Sequence, residues 1–201
     1  MFKRSKKKII SAVIAMASLI SATCVSASAA DVTPRTSQYY LAEGVGAVDY
    51  YITDSASSYT SLIGAAAYSW MYTGYGDNPI YMYQTTNFNA SNMDIYAQND
   101  GLQAGYTACT FYVDVRTEGH IIVDPTTSFW DYGEVYLNTY PSLFPALADV
   151  TKQGVICHEM GHVFGLAHNN DNINSIMCQL GYGRVVYKPG LADHYGINAM
   201  Y

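Results

Sequence analysis

Three stretches of the chain carry apolar residues at helical spacing. In the first, the spacing i, i+3, i+4, i+7, i+8, i+11 predicts a helix that buries Tyr59, Leu62, Ile63, Ala66, Ala67 and Trp70. Asp54 or Ser55 can cap its start, and Gly74 is suited to its end. Pro145 predicts the start of a second helix, one face of which carries Leu147, Thr151, Gly154, Val155, His158 and His162. Residues 191–201 have the same periodicity and predict a closing helix.

Shorter runs rich in strand-forming residues lie between these helices and before them. They cover residues 47–53, 80–85, 93–98, 106–113, 120–123 and 134–138, and Gly, Asn, Asp and Pro separate them. The predicted order is a strand, a helix, several strands, a helix, an irregular segment and a last helix. That order is typical of an α+β domain with an α/β sandwich-like arrangement around one mixed sheet.

Residues 1–29 have the pattern of a secretory signal peptide. A basic cluster precedes an apolar run over residues 9–20, which is short for a membrane span, and Ala27-Ser28-Ala29 offers a cleavage site. A lipoprotein anchor at Cys24 is the alternative, but residues 21–23 lack the apolar residue expected before such a cysteine. The pattern predicts a secreted, extracellular protein without a membrane span. A short N-terminal segment or pro-segment at 30–46 and one domain at 47–201 would follow.

The charge balance changes when the predicted leader is removed. The 201-residue chain has a net charge of −6, from 10 basic and 16 acidic residues. Five of the basic residues and none of the acidic ones lie in residues 1–29, so residues 30–201 carry a net charge of −11. This balance argues against nucleic acid or an anionic membrane as a partner. The 20 tyrosines are typical of an aromatic-rich sheet, and a dedicated binding platform is the less favoured interpretation.

The segment HEMGHVFGLAH, residues 158–168, contains three of the chain's five histidines. His158 and His162 are four residues apart, so they project from one face of a helix and can reach one ion. Gly165 can adopt a left-handed conformation that ends the helix and lets His168 turn back as a third ligand. Three protein ligands leave a fourth position for water, which is the pattern of a catalytic zinc site.

Glu159 lies beside this ligand set and is the candidate general base. Zinc lowers the pKa of its bound water to about 7, and a carboxylate nearby can accept the proton and pass it to a leaving amine. The segment therefore predicts hydrolysis of an amide bond by a zinc-activated water, with one zinc ion as cofactor.

The same eleven residues resemble the extended zinc motif of the metzincin metallopeptidases, and the chain is similar in order to their matrixin-like catalytic domains over residues 47–201. Met177, in Asn174-Ser175-Ile176-Met177, resembles the Met-turn residue of that family. The resemblance implies a secreted zinc endopeptidase that acts on proteins or peptides. It also implies a mixed, mostly parallel twisted sheet, an active-site helix and a C-terminal helix. Asn169 stands where typical matrixins have serine. Cys178 and Gln179 follow Met177, so no tyrosine stands where some metzincins have one that stabilises the oxyanion.

Cysteine pairing, further ions and the oligomeric state are less constrained by the sequence. A disulfide between Cys157 and Cys178 is the preferred pairing because both flank the zinc-binding segments, and three buried thiols are the alternative. Calcium could bind acidic loops, although solvated loops are the simpler interpretation; the acidic residues concerned are Asp100, Asp124, Asp131 and Glu134. His120 and His194 stand alone and are expected to be structural or surface residues. We expect a monomer.

Two other functions remain open at this point. The chain could be a catalytically inactive extracellular binding module that keeps zinc for stability, or a zinc hydrolase of cell-wall amides. The presence of Glu159 favours catalysis over the inactive module. A cleft lined by a strand edge would favour peptides over small amides, because an extended peptide can pair with that edge.

Overall fold

The computed structural model describes residues 32–114 and 120–201. The predicted signal peptide at 1–29 lies outside these residues. Within them, no helix combines the length and the apolar character needed to cross a membrane.

One six-stranded sheet carries three α-helices. The strands are β1 (Val48–Ile52), β2 (Met82–Thr85), β3 (Met93–Gln98), β4 (Ala108–Val113), β5 (Ile122–Val123) and β6 (Tyr132–Asn138). The helices are α1 (Thr60–Met71), α2 (Asp149–Val163) and α3 (Leu191–Met200). The predicted α+β class is confirmed, with a helix that carries His158 and His162 and with a C-terminal helix.

The sheet is mixed and mostly parallel, as predicted. Its strand order is β2-β1-β3-β6-β4-β5. Strands β2, β1, β3 and β6 run parallel to one another, whereas β4 is antiparallel to both β6 and β5. The central strands β3 and β6 are almost entirely buried, which is typical of parallel strands covered on both faces.

Helix α2 is held against the sheet by close packing and by two tryptophans. A Cβ atom at Gly133 of β6 would come within 2.5 Å of Val163, so glycine is needed where strand and helix approach. Trp130 Nε1 donates a hydrogen bond to the carbonyl of Val163 (2.9 Å), and Trp70 Nε1 of α1 donates to the carbonyl of Cys157 (3.0 Å). Both indole rings are fully buried, and these two hydrogen bonds satisfy their N–H donors. These contacts fix the helix that carries the histidines.

Both long helices begin later than the sequence predicts. Residues Asp54–Tyr59 form a 3-10 helix before α1, and Pro145 lies in a short 3-10 helix, Phe144–Ala146. Leu147 and Ala148 are extended, with ψ of 151° and 149°, so helix α2 starts only at Asp149. Proline favours the first turn of a helix, and Pro145 does lie in a helical turn. That turn is the 3-10 helix before α2 and not α2 itself.

Residues 32–46 pack against the domain that contains the sheet. Thr36 forms a β-bridge with Leu166, and Leu41 forms one with Trp130. Leu41 is fully buried in the core. Tyr201, the last residue of the sequence, donates from its hydroxyl to the carbonyl of Phe164 (2.8 Å), which ties the end of α3 to the end of α2.

Candidate metal centre

The ligand atoms of His158, His162 and His168 meet at one place. Each imidazole offers one nitrogen, and these atoms all lie within 4.8 Å of one another. The Nε2 atoms of His158 and His162 are 3.2 Å apart. His158 is buried, His162 half-buried and His168 exposed, so the group opens to solvent on one side. In the described parts of the chain, it is the one group of three or more His, Cys, Asp or Glu side chains that could hold a metal ion.

Gly165 produces the turn that brings His168 back. Its φ is +102°, in the region that favours glycine, and α2 ends two residues earlier at Val163. The Leu166 N–H donates to the Gly161 carbonyl and the Gly165 N–H to the His162 carbonyl, both at 2.9 Å. This is the Schellman pattern of helix termination. The role predicted for Gly165 therefore agrees with the local backbone.

Backbone carbonyls orient two of the three imidazoles. His158 Nδ1 lies 2.8 Å from the Ile176 carbonyl oxygen, and His162 Nδ1 lies 2.8 Å from the Leu166 carbonyl oxygen. A carbonyl can only accept, so each Nδ1 carries the proton and each Nε2 keeps its lone pair. This is the usual second layer of support for metal-binding histidines.

Electrostatics keeps the imidazoles neutral, which is the form that binds metals. Burial lowers the pKa of His158 well below its ordinary value, and the neighbouring His162 lowers it further. Burial and the charge of His168 lower the pKa of His162 to about 4. Burial also lowers the pKa of His168. All three rings are therefore in the neutral form at neutral pH, with one N–H each.

Glu159 lies next to the histidine group and is anchored by β4. The Thr110 hydroxyl is 2.9 Å from Glu159 Oε2 and 3.1 Å from the Glu159 carbonyl oxygen, so it can donate to either. Glu159 is 6% exposed. Burial raises the pKa of its carboxyl to about 7, against the lowering effects of Thr110 and Arg184. A cation held by the histidines would lower this pKa, because an opposite charge favours the carboxylate.

The loop that supplies the Ile176 carbonyl is clamped by α3. Asp193 accepts hydrogen bonds from the hydroxyl of Ser175, from the Ile176 N–H (2.8 Å) and from the Gly190 N–H (2.7 Å). The Met177 N–H donates to the Ser175 hydroxyl at 3.0 Å. Asp193 is buried, so its carboxylate replaces lost water with these donors.

Met177 packs beneath α2 against Gly161, which lies between His158 and His162 in the sequence. A Cβ atom at Gly161 would come within 2.4 Å of Met177 Sδ and within 3.1 Å of Trp70. Met177 is 1% exposed. The structure thus brings the predicted Met-turn residue against the helix of the histidines.

Arg184, which the sequence did not single out, reinforces the same loop. Its Nη1 donates to the Ile176 carbonyl at 2.9 Å, so this oxygen receives a hydrogen bond from both Arg184 and His158. Among the described lysines and arginines, Arg184 is the one that is buried. Burial lowers its pKa.

Two cavities meet at Glu159. The smaller cavity has a volume of about 280 Å³, and its own walls include Val155, Leu180 and Arg184. The larger cavity has a volume of about 520 Å³, and its own walls include Tyr112, His162 and His168. The two share five residues, namely Tyr106, Ala108, His158, Glu159 and Gln179.

One edge of β4 borders both cavities. β6 pairs with all of Ala108–Val113 on one side of β4. On the other side, β5 pairs only with Tyr112 and Val113 within the part of the chain that the structure describes. The backbone of residues 108–111 therefore presents a strand edge beside Glu159.

The predicted Cys157–Cys178 disulfide is wrong in this structure, where Cys109, Cys157 and Cys178 are all free. The two thiols have different partners. Cys157 Sγ is directed at α1, 3.7 Å from the Ala66 carbonyl oxygen, whereas Cys178 Sγ lies 3.6 Å from the Gln179 carbonyl oxygen. Both residues are buried, which matches the alternative of thiols that pack as small apolar groups.

Three of the four acidic residues considered for calcium accept hydrogen bonds from protein groups, and the fourth, Asp131, is exposed. Asp100 accepts from Gln98 and from the Tyr106 hydroxyl, and Asp124 accepts from the Thr126 N–H and hydroxyl. Glu134 accepts from the Tyr136 hydroxyl at 3.0 Å. In the described residues, none of these acids belongs to a cluster that could hold a metal. Calcium binding therefore has no support from the geometry.

The two single histidines lie outside the metal centre. His120 Nε2 is 3.4 Å from Glu134 Oε2, and His120 is exposed. His194 is buried on α3, and its Nε2 is 3.2 Å from Asn198 Nδ2. Both positions agree with the expected surface or structural roles.

Comparisons with known proteins do not show a family for this chain. A scan against protein-family models finds no match, and a search of curated proteins finds no similar sequence. The mixed sheet and the three-histidine group are thus the features on which a functional interpretation has to rest.

Proposed function

We propose that the chain is a secreted zinc-dependent endopeptidase of the metzincin type, with a matrixin-like catalytic domain. The observation that carries the proposal is the convergence of three histidine nitrogens within 4.8 Å, with Glu159 anchored beside them in the shared part of two cavities. The eleven-residue motif, the turn at Gly165 and the packing of Met177 under α2 support the family assignment.

The side chains at the centre fit zinc. Zinc accepts imidazole nitrogen as a ligand, and catalytic zinc sites keep three protein ligands and an open position. The three rings are neutral, and two have their remaining nitrogen fixed by a carbonyl. When bound, zinc would supply the Lewis acidity that lowers the pKa of water and polarises a carbonyl.

Glu159 would move the proton. Its carboxylate takes a proton from the attacking water and returns it to the leaving amine. The Thr110 hydroxyl holds one carboxylate oxygen and leaves the other able to accept that proton. Burial strengthens Glu159 as a base, because it raises the pKa of the carboxyl.

The strand edge of β4 would bind the substrate backbone. Residues 108–111 have an edge not covered by β5, and Glu159 lines both cavities. An extended peptide that pairs with this edge would pass over Glu159 with side chains entering the cavities. This arrangement favours a protein or peptide substrate over a small cell-wall amide. It also favours catalysis over an inactive zinc module, since Glu159 is held in place by Thr110.

The test is hydrolysis of unfolded casein by the purified secreted form. We expect hydrolysis that a zinc chelator abolishes and that added zinc restores. An inhibitor of serine proteases should have no effect, which controls for contaminating enzymes. Cleavage that is unaffected by removal of zinc would contradict the proposal. Chelator-sensitive cleavage of a peptidoglycan amide, with no cleavage of casein, would favour the cell-wall alternative.

A further inference from the structure

The third histidine of the metal centre, His168, lies beyond the end of α2. His158 and His162 belong to the helix, and a backbone carbonyl oxygen lies 2.8 Å from Nδ1 of each. Across residues 32–114 and 120–201, no hydrogen bond reaches the His168 imidazole, and the residue is exposed. The position of His168 therefore depends on the backbone of residues 165–169.

Residues 33–37, the clamp segment, lie alongside residues 165–169. Thr36 forms an antiparallel β-bridge with Leu166. Two backbone hydrogen bonds flank this bridge, from the Ser37 N–H to the Gly165 carbonyl (2.7 Å) and from the Ala167 N–H to the Arg35 carbonyl (3.0 Å). The second bond fixes the peptide group directly before His168.

Asn169 connects the same two segments on the other side of His168. Its Nδ2 donates to the Thr33 carbonyl at 3.1 Å, and its backbone N–H donates to the Met177 carbonyl at 2.9 Å. Asn169 is 3% exposed, so its bonds are shielded from water. Serine, which typical matrixins have at this position, is shorter and would not bridge the distance to Thr33. The backbone is therefore held on both sides of His168.

Side-chain packing keeps the clamp segment in place. A Cβ atom at Gly196 of α3 would come within 2.5 Å of Leu166 and 3.4 Å of Pro34, so α3 packs closely against both segments. Farther along the chain, Leu41 is fully buried and Val45 is 2% exposed. The stretch that contains the clamp segment is thus anchored in the core, which favours a permanent N-terminal segment over a removable pro-segment.

We propose that the clamp segment and Asn169 are positioning groups for His168, which hold its imidazole in the ligand set and thereby raise the affinity of the centre for zinc. This inference rests on the proposed zinc centre and assigns part of its metal retention to residues 136 positions away in the sequence. A ligand on an unfixed loop has to be ordered when the metal binds, and the lost conformational entropy opposes binding. The clamp orders the loop beforehand.

Zinc affinity of the metal-free secreted form, measured in competition with a chromogenic zinc chelator, tests the clamp without any need for turnover. Asn169→Leu keeps the approximate size of the side chain and removes its bond to Thr33. We expect zinc to bind about 10–100-fold more weakly, as is typical when a partner outside the ligand shell is lost. Circular dichroism checks that the variant is folded.

Asp171→Asn is the matched control in the same loop. It breaks the ion pair between Asp171 and Arg35 (3.5 Å), in which the Asp171 side chain is 82% exposed. Exposed ion pairs contribute little, so the zinc affinity of this variant should equal that of the unmodified protein.

Hydrogen exchange on the unmodified protein gives a second measurement, which decides if Asn169→Leu does not fold. Because coupling is reciprocal, zinc should slow exchange at the Ser37 and Ala167 amides by about the same factor. The Ala90 amide, in the short turn before β3, should not change. Unchanged zinc affinity in folded Asn169→Leu, or unchanged exchange at Ser37 and Ala167, would refute the clamp and leave the zinc centre intact. If the unmodified protein binds no zinc, the proposed function fails and the clamp with it.

Discussion

The two cavities beside Glu159 differ in what their walls contribute. The larger cavity has two imidazoles of its own, His162 and His168, and the smaller cavity has the buried cation Arg184. Glu159 and His158 belong to both. Under the proposed function, metal binding would depend mainly on the larger cavity, and proton transfer on Glu159, at the boundary between the two cavities.

His162→Ala removes an imidazole from the wall of the larger cavity and should have the largest effect on activity. Two remaining imidazoles make a poor zinc site, so we expect loss of both bound zinc and detectable hydrolysis. His120→Ala is the matched control, because His120 is an exposed histidine outside the cluster. Zinc content by mass spectrometry and casein turnover check both variants. A His162→Ala protein that keeps stoichiometric zinc would disprove the ligand assignment.

Thr110→Val tests Glu159, at the boundary between the two cavities, and should have an intermediate effect on activity. Valine keeps the shape but removes the hydroxyl that holds Glu159, which should lower kcat about tenfold at neutral pH with KM and zinc content unchanged. The lost hydrogen bond normally lowers the pKa of Glu159, so the pKa should rise. Since the base acts as a carboxylate, the acidic limb of the kcat/KM profile should move to higher pH.

Thr107→Val provides the control for this change, because Thr107 lines the smaller cavity and no side-chain hydrogen bond to Glu159 involves it. It should leave the pH profile in place. A profile that moves equally in both variants would show that Thr110 acts through packing rather than through its hydroxyl.

Thiol reactivity gives the smallest expected effect and separates the accessible cysteine from the buried ones. Cys109 lines the larger cavity, whereas Cys157 is buried between α1 and α2. Burial raises the pKa of Cys109 to about 11 and that of Cys157 to about 12, so few thiolates exist at neutral pH. Alkylation of the native protein should be slow, with Cys109 ahead of Cys157. In denaturant without reductant, Cys157 and Cys178 should both be modified. A crosslinked peptide containing both would restore the disulfide.

The grouping of the three histidines and the turn at Gly165 could be predicted because both depend on local geometry. The i, i+4 spacing places His158 and His162 on one helical face in any context. Gly165 ends the helix through hydrogen bonds that span five residues or fewer. The strand at Met93–Gln98 was predicted with its observed bounds for a related reason, since Asn and Asp flank a run of strand formers.

The supporting residues could not be predicted, because they depend on contacts between distant parts of the chain. Thr110 reaches Glu159 across 49 positions, through the pairing of β4 with β6. Asp193 reaches Ser175 across 18 positions, through the placement of α3. Arg184 has no spacing relation to the histidines, and its role follows only from the shared Ile176 carbonyl. The disulfide prediction relied on the position of both cysteines beside the predicted zinc-binding segments. It was wrong because Cys157 faces α1 rather than the loop of Cys178.

Glu159→Gln tests the central claim most directly, with zinc content and kcat/KM measured on one preparation. The substitution keeps the size of the side chain and removes its basicity, while the three histidines are untouched. We predict one zinc per chain, as in the unmodified protein, with hydrolysis reduced by about 10²–10⁴-fold. Near-normal proteolysis with zinc bound would contradict the account, because Glu159 would then not be the general base.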